Sequence, residues 1–169
     1  MRQCFLIFIT CFAFHLQAQL STDELNAIFT RISEKDKSHL GKDSIDISIR
    51  QNMFVENFDT IKYLLQTHQL VGIKERLTKK QYRKYEGAIG ITFTHIWQIY
   101  PALILNDGFI DFLKQEIDAK RFDISVLYYP CSYAIYKNPY YEHPLSMEKE
   151  LYKAFDAWGI DRSKLFTGK

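Results

Sequence analysis

Beyond the first eighteen residues the chain carries four histidines, His39, His68, His95 and His143. No two of them have the H-x-x-x-H spacing that puts two ligands on one helical face. No cofactor is implied, and the one metal arrangement left is a site assembled by folding from His95, His143 and a carboxylate. His95 lies in Thr94-His95-Ile96-Trp97-Gln98, so His95 and Gln98 share a helical face three residues apart, with Trp97 beside them. In so apolar a stretch a polar pair either satisfies itself within the core or lines a pocket, because buried polar groups need partners in both cases. The satisfied-core reading is the plainer one.

Two further stretches could carry chemistry. Tyr136, Tyr140, Tyr141, Glu142 and His143 fall close together and could hold a polar ligand. His143 could act there as a general base only with a reactive partner in hydrogen-bond reach. An aromatic loop packed over the helices is the simpler account. Between Lys74 and Glu86 six basic residues stand against Glu75 and Glu86. Lys79, Lys80, Arg83 and Lys84 with Tyr82 and Tyr85 among them could bind an anion, with a glycan or lipid head group the best candidate. The tyrosines fall on one helical face, however, which leaves the lysines as a solvated surface. No Gly-rich phosphate loop, dinucleotide fingerprint, EF-hand or G-x-S-x-G elbow occurs, and Asp107-Gly108 and Asp161 are too isolated to bind calcium.

The elements that must position these residues read mainly as helices. Ser21 and Glu24 have capping-box spacing, and Leu25, Ile28, Phe29 and Ile32 follow on one face, which predicts a helix over 22–39 with Gly41 as its stop. Residues 43–56 are ambiguous: Ile45, Ile47 and Ile49 alternate like a strand, while Ile45, Ile49 and Met53 fit a helix, the reading favoured by the lack of turn residues before Asn57. Phe58, Ile61, Leu64 and Leu65 predict a helix ending before Gly72. Thr78 and Gln81 form a second capping-box pattern, opening a helix through Tyr82, Tyr85, Ile89, Phe93, Ile96 and Trp97 that Gly87 and Gly90 weaken and Pro101 ends or kinks. Asn106-Asp107-Gly108 precedes a helix with Phe109, Leu113 and Ile117 inward. Ile124, Val126 and Tyr128 alternate and could form a short strand within a Tyr-rich irregular segment over 123–143. Ser146 then caps a last helix through Leu151, Phe155 and Trp158 that stops at Gly159. The expected fold is therefore mainly α: one domain, a bundle of about five helices with a Tyr-rich irregular segment near the C-terminal third. The alternative is an α+β domain with one or two short strands.

The first eighteen residues read as a destination. Arg2 gives a positive start, Cys4 to Phe14 is an uncharged apolar run of eleven residues, and Ala18 offers a small residue before a cut. A spanning helix needs roughly 20 apolar residues, so a secretory signal peptide over 1–18 is expected, with no transmembrane anchor once it is removed. Residues 19–169 would then be the mature domain, in the periplasm or secreted. With Arg2 gone, 21 basic residues face 20 acidic ones. So balanced a surface argues against a nucleic-acid partner and against strong attraction to an anionic membrane. Cys131 would be the one remaining thiol, which suits a buried apolar role better than catalysis.

Asn57 with Ile61, Leu64 and Leu65, then Gly72, is similar to an N-x-x-x-L-x-x-I-I helix followed by Gly in an uncharacterised family of small exported bacterial helical proteins. The likeness covers about a third of the chain and implies export and a helical fold, without an activity. The Gln-His pair of that family is missing, since Gln98 is followed by Ile99. The leading expectation is an exported, non-catalytic binding or interaction domain whose partner is an unnamed protein or small molecule. Two alternatives stand beside it: a small hydrolase-like enzyme with His95 or His143 as general base, and an anion or glycan binder acting through the basic 74–86 segment.

Overall fold

The computed structural model describes residues 19–38, 47–127, 149, 152, 153, 155–157 and 159. The expected signal segment 1–18, Gly41, Ile45, residues 128–148 with Cys131 and the Tyr136–His143 cluster, and Ser146, Leu151 and Trp158 lie outside the described residues. The described chain is mainly helical, with no strand, which settles the fold class in favour of the α bundle.

Among the described residues the helices that can be bounded run in the order α1 (Thr22–Lys37), α2 (Ile47–Gln66), α3 (Ile73–Arg76), α4 (Lys79–Ile99), α5 (Ala102–Leu105) and α6 (Asp107–Asp118). Two start on capping boxes. The Glu24 amide donates to Ser21 Oγ at 3.2 Å, and the Ser21 amide donates back to Glu24 Oε2 at 2.7 Å. Thr78 and Gln81 repeat the arrangement at α4. Each reciprocal pair satisfies amides that the first helical turn leaves without partners. At α6 the Asn106 side chain accepts from the Gly108 amide.

Helix α4 is the centre of the packing. It lies against α1, α2 and α5, and its face from Tyr85 through Ile89, Phe93, Ile96 and Trp97 is buried. Burying each such side chain is worth about 1.5–3 kcal/mol. The Phe29 ring from α1 meets Tyr85 edge-on at 5.1 Å, Phe58 from α2 meets Phe93 at 5.7 Å, and Phe58 also meets Phe109 of α6 at 5.5 Å. Polar ties hold the same neighbours: Lys84 Nζ donates to Thr30 Oγ1 at 2.9 Å, and Lys35 pairs with Glu56. The segment before α1 is sewn to the α2–α3 turn. The Leu20 amide donates to the side chain of buried Gln69 at 2.6 Å, and Arg76 donates to the carbonyls of Gln69 and Leu20.

Three expectations change. The ambiguous 43–56 stretch and the helix after it are one element where described: α2 runs unbroken through Asn57, which is buried. Helix α1 ends at Lys37, with Ser38 as its cap. Residues 125–127 form a helical turn, so the strand alternation of Ile124 and Val126 is overturned; Asp123 Oδ1 accepts from the Ser125 amide at 2.8 Å and starts the turn. As expected, α4 runs on through Gly87 and Gly90, because the packing on both sides of them outweighs their weak propensity.

The ends of α2 and α6 share an unusual device. The Gln69 amide donates to the Leu64 carbonyl and the His68 amide to Leu65; likewise the Arg121 amide donates to Glu116 and the Lys120 amide to Ile117. This is the Schellman pattern, which asks for a left-handed residue, commonly glycine. Here His68 (φ 55°) and Lys120 (φ 57°) fill that position and bear the steric cost of a Cβ there. Glycine thus occupies a helix interior at Gly87, where an added Cβ meets nothing within 4 Å, and is missing where it is wanted. Gly87→Ala and Lys120→Gly should each stabilise the protein by about 0.5–1 kcal/mol and raise Tm by about 1–4 °C. Calorimetry checks this; a lowered Tm for either variant would contradict the assignment of these positions.

Candidate functional site

Two places bring together the residue types that binding or chemistry requires. The first is a junction of α1, α2 and α4. Helix α4 carries His95 toward Asp36 of α1, with Nδ1 3.1 Å from Oδ1, and the imidazole stacks on Phe54 of α2 with centroids 3.8 Å apart and planes inclined at 25°. Both polar side chains are largely buried, 19% and 12% exposed. The carboxylate faces the Nδ1 edge of the ring, and the stacked phenylalanine fixes the ring plane. An Asp–His pair of this kind can orient a general base. Among the described residues, though, no hydroxyl or thiol is hydrogen-bonded to His95, and no group of three or more His, Cys, Asp and Glu side chains could hold a metal. Trp97 is buried beside it in sequence, with an indole Nε1 that makes no hydrogen bond, and Gln98 is half-buried. His95 and Gln98 are not joined by a hydrogen bond; the partner of His95 is Asp36.

The second is a groove of about 690 Å³ between α3, the first half of α4 and residues 120–126. Its size falls within the range of small-molecule sites, roughly 300–1,000 Å³. Tyr82 and Tyr85, one helical step apart on α4, contribute aromatic surface with ring centroids 5.4 Å apart. Burial pushes the Tyr85 hydroxyl far above the usual phenol range, and Tyr82, Glu86 and Asp123 add to the shift. Tyr82 is raised in the same direction, first by burial and then by Glu86, Asp123 and Glu75. The facing wall is set by the end of α6. There Arg121 makes two hydrogen bonds to buried Glu116, at 2.8 and 2.6 Å, and lines the groove together with Phe122. That fork holds the Glu116 carboxyl below the usual glutamate range, first through hydrogen bonding to Arg121, against burial. His68 approaches the same carboxylate at 3.8 Å.

The remaining sequence candidates divide. Lys79, Lys80 and Arg83 are exposed on α4, as a solvated face requires, while Lys84 is committed to Thr30. Tyr136, Tyr140, Tyr141, Glu142 and His143 lie outside the described residues. Sequence reasoning missed Asp36, Phe54, the Glu116–Arg121 fork and the 120–126 wall. The first two are paired with His95 by helix packing alone, and no spacing signals them. The fork spans a left-handed lysine that no glycine marks. Comparison with protein-family models, curated proteins and solved structures finds no match for this chain.

Removing the Asp36 carboxylate leaves a largely buried imidazole without its polar neighbour. Asp36→Ala should lower stability by about 1–3 kcal/mol. A urea midpoint that falls at unchanged m-value verifies it, and an unmoved midpoint would show that the pair contributes nothing to the fold. Glu116 adds a pH signature. Its folded-state pKa is depressed, so its contribution is complete above the unfolded-state value of roughly 4.3 and fades as the pH falls through the lower folded value. Between neutral pH and pH 3 the wild type should lose more stability than Glu116→Gln; equal losses would contradict this.

Proposed function

We propose that this protein is an exported, non-catalytic binding domain whose ligand site is the groove between α3, α4 and residues 120–126. The observation that carries the reading is the lining. Two half-buried to buried tyrosines, an aromatic second wall and charged side chains of both signs surround a volume suited to one small ligand. Tyrosine suits such a place because it offers an apolar body and a polar tip. Export rests on the apolar run Cys4–Phe14 and the small residue Ala18. Among the described residues no helix is long and apolar enough to cross a membrane.

A hydrolase-like reading keeps one observation, the oriented Asp36–His95 pair. A base needs a reacting group within hydrogen-bond reach, so the two readings place a ligand at opposite ends of α4. A fragment screen read by the ring resonances of tyrosine and histidine separates them. Binders should move Tyr82 and Tyr85 together and leave His95 in place, and Tyr82→Ala should weaken them by about tenfold, the loss of one well-packed aromatic contact. Fragments that move His95 alone would favour the enzyme. The mature protein recovered from the periplasm or medium of a bacterial host should begin at Gln19; an intact Met1–Lys169 mass in that fraction would contradict the signal-peptide reading.

A further inference from the structure

The groove's charges indicate which chemical group it would hold; the inference rests on the binding reading above. Three carboxylates line it, one from each wall: Glu75 on α3, Glu86 on α4 and Asp123 after α6. All three are exposed. Each bears on the tyrosine pair: Glu86 and Asp123 act on both phenols and Glu75 on Tyr82, so the field at the two hydroxyls is negative. The cations of the groove are placed differently. Arg121 is neutralised by its two hydrogen bonds to Glu116. Lys74 and Lys120 also line the groove, but neither is among the charges that act on the two phenols. Tyr85 adds an independent mark. It is only 7% exposed and lines the groove, yet its hydroxyl makes no hydrogen bond among the described residues. The hydroxyl oxygen is not sealed from the groove, so a ligand there can replace water as its partner by supplying a donor.

We propose that the groove binds a small alkylammonium ligand. Its charged end sits between Tyr82, Tyr85 and the carboxylates of Glu75, Glu86 and Asp123. An ammonium N–H donates to the Tyr85 oxygen, and the alkyl chain runs along Phe122 and Ile124. Aromatic faces attract cations, and carboxylates within a partly dry groove strengthen that attraction. An anionic ligand of the same length would meet three like charges at the same place.

The test titrates the full-length protein with pentylammonium and with pentanoate, which share an alkyl chain and differ in the sign of the head group. Tyrosine ring resonances report the binding. Pentylammonium should shift Tyr82 and Tyr85 saturably, pentanoate should not, and raising the salt should weaken binding. The Glu86→Gln/Asp123→Asn double variant should bind about tenfold more weakly. Asparagine retains the acceptor for the Ser125 amide, so the 125–127 turn survives the change. Lys80→Gln, outside the groove, should leave the affinity unchanged. A capped lysine amide distinguishes the source: binding as tight as pentylammonium means that a peptide-borne lysine can supply the ligand, and weaker binding means a free amine, both within the proposal. If pentanoate binds as well as pentylammonium, or the double variant binds as well as the wild type, the alkylammonium assignment is overturned while the groove remains a binding site. If neither probe moves the tyrosines, the alkylammonium assignment falls, and the groove keeps its binding role only if the fragment screen finds another ligand there.

Discussion

The burial of one face of α4 is the constraint from which the rest of the described structure follows. Tyr85, Ala88, Ile89, Phe93, Ile96 and Trp97 form a stripe that water cannot accommodate cheaply, and α1 and α2 cover it from two sides. The cover is specific because aromatic rings meet edge to face across both contacts, Phe29 with Tyr85 and Phe58 with Phe93. Rotating α4 by one residue would place Lys84 or Glu86 where Tyr85 now lies. Two glycines in its middle do not loosen it, since a helix held by tertiary packing depends little on local propensity.

Both candidate sites are consequences of that register. The first half of α4 projects Tyr82 and Tyr85 toward α3 and residues 120–126, and its last turns set His95 against Asp36 and Phe54. The two ends differ in what they leave free. At the His95 end the imidazole has Asp36 as its neighbour and is covered by a stacked phenylalanine, although the buried Trp97 Nε1 makes no hydrogen bond. At the Tyr85 end a hydroxyl faces the groove without a hydrogen bond among the described residues, and charge is unevenly spread around it. Satisfied polar groups hold a fold together, whereas unsatisfied ones beside a cavity await a ligand. The groove and its tyrosines are what support the proposed binding site at the first half of α4.

Much of the architecture was legible from local chemistry. The Ser21–Glu24 and Thr78–Gln81 boxes could be read because capping depends on residues three apart, and both form as read. The inward faces of α1 and α4 followed from helical spacing. What stayed hidden has a common cause. Three alternating isoleucines and an asparagine suggested a change of element around Asn57, but burial of α2 against α4 carries the helix straight through. Alternation at Ile124 and Val126 suggested a strand over too few residues to tell from a capped turn. The left-handed positions are filled by His68 and Lys120, so the glycine that marks such a helix end was absent. The partners of His95 and Glu116 are tertiary, and His95 was singled out without any means of naming Asp36. Tyr82 and Tyr85 were correctly placed on one face, yet the wall that turns that face into a groove comes from residues after α6.

The most direct measurement is a crystal structure of the protein with its tightest-binding fragment, soaked near the dissociation constant. The account predicts density between Tyr82, Tyr85 and residues 120–126, with a polar atom of the ligand within hydrogen-bond distance of the Tyr85 hydroxyl. Density at the α1–α2–α4 junction, against the His95 imidazole and with the groove empty, would contradict it.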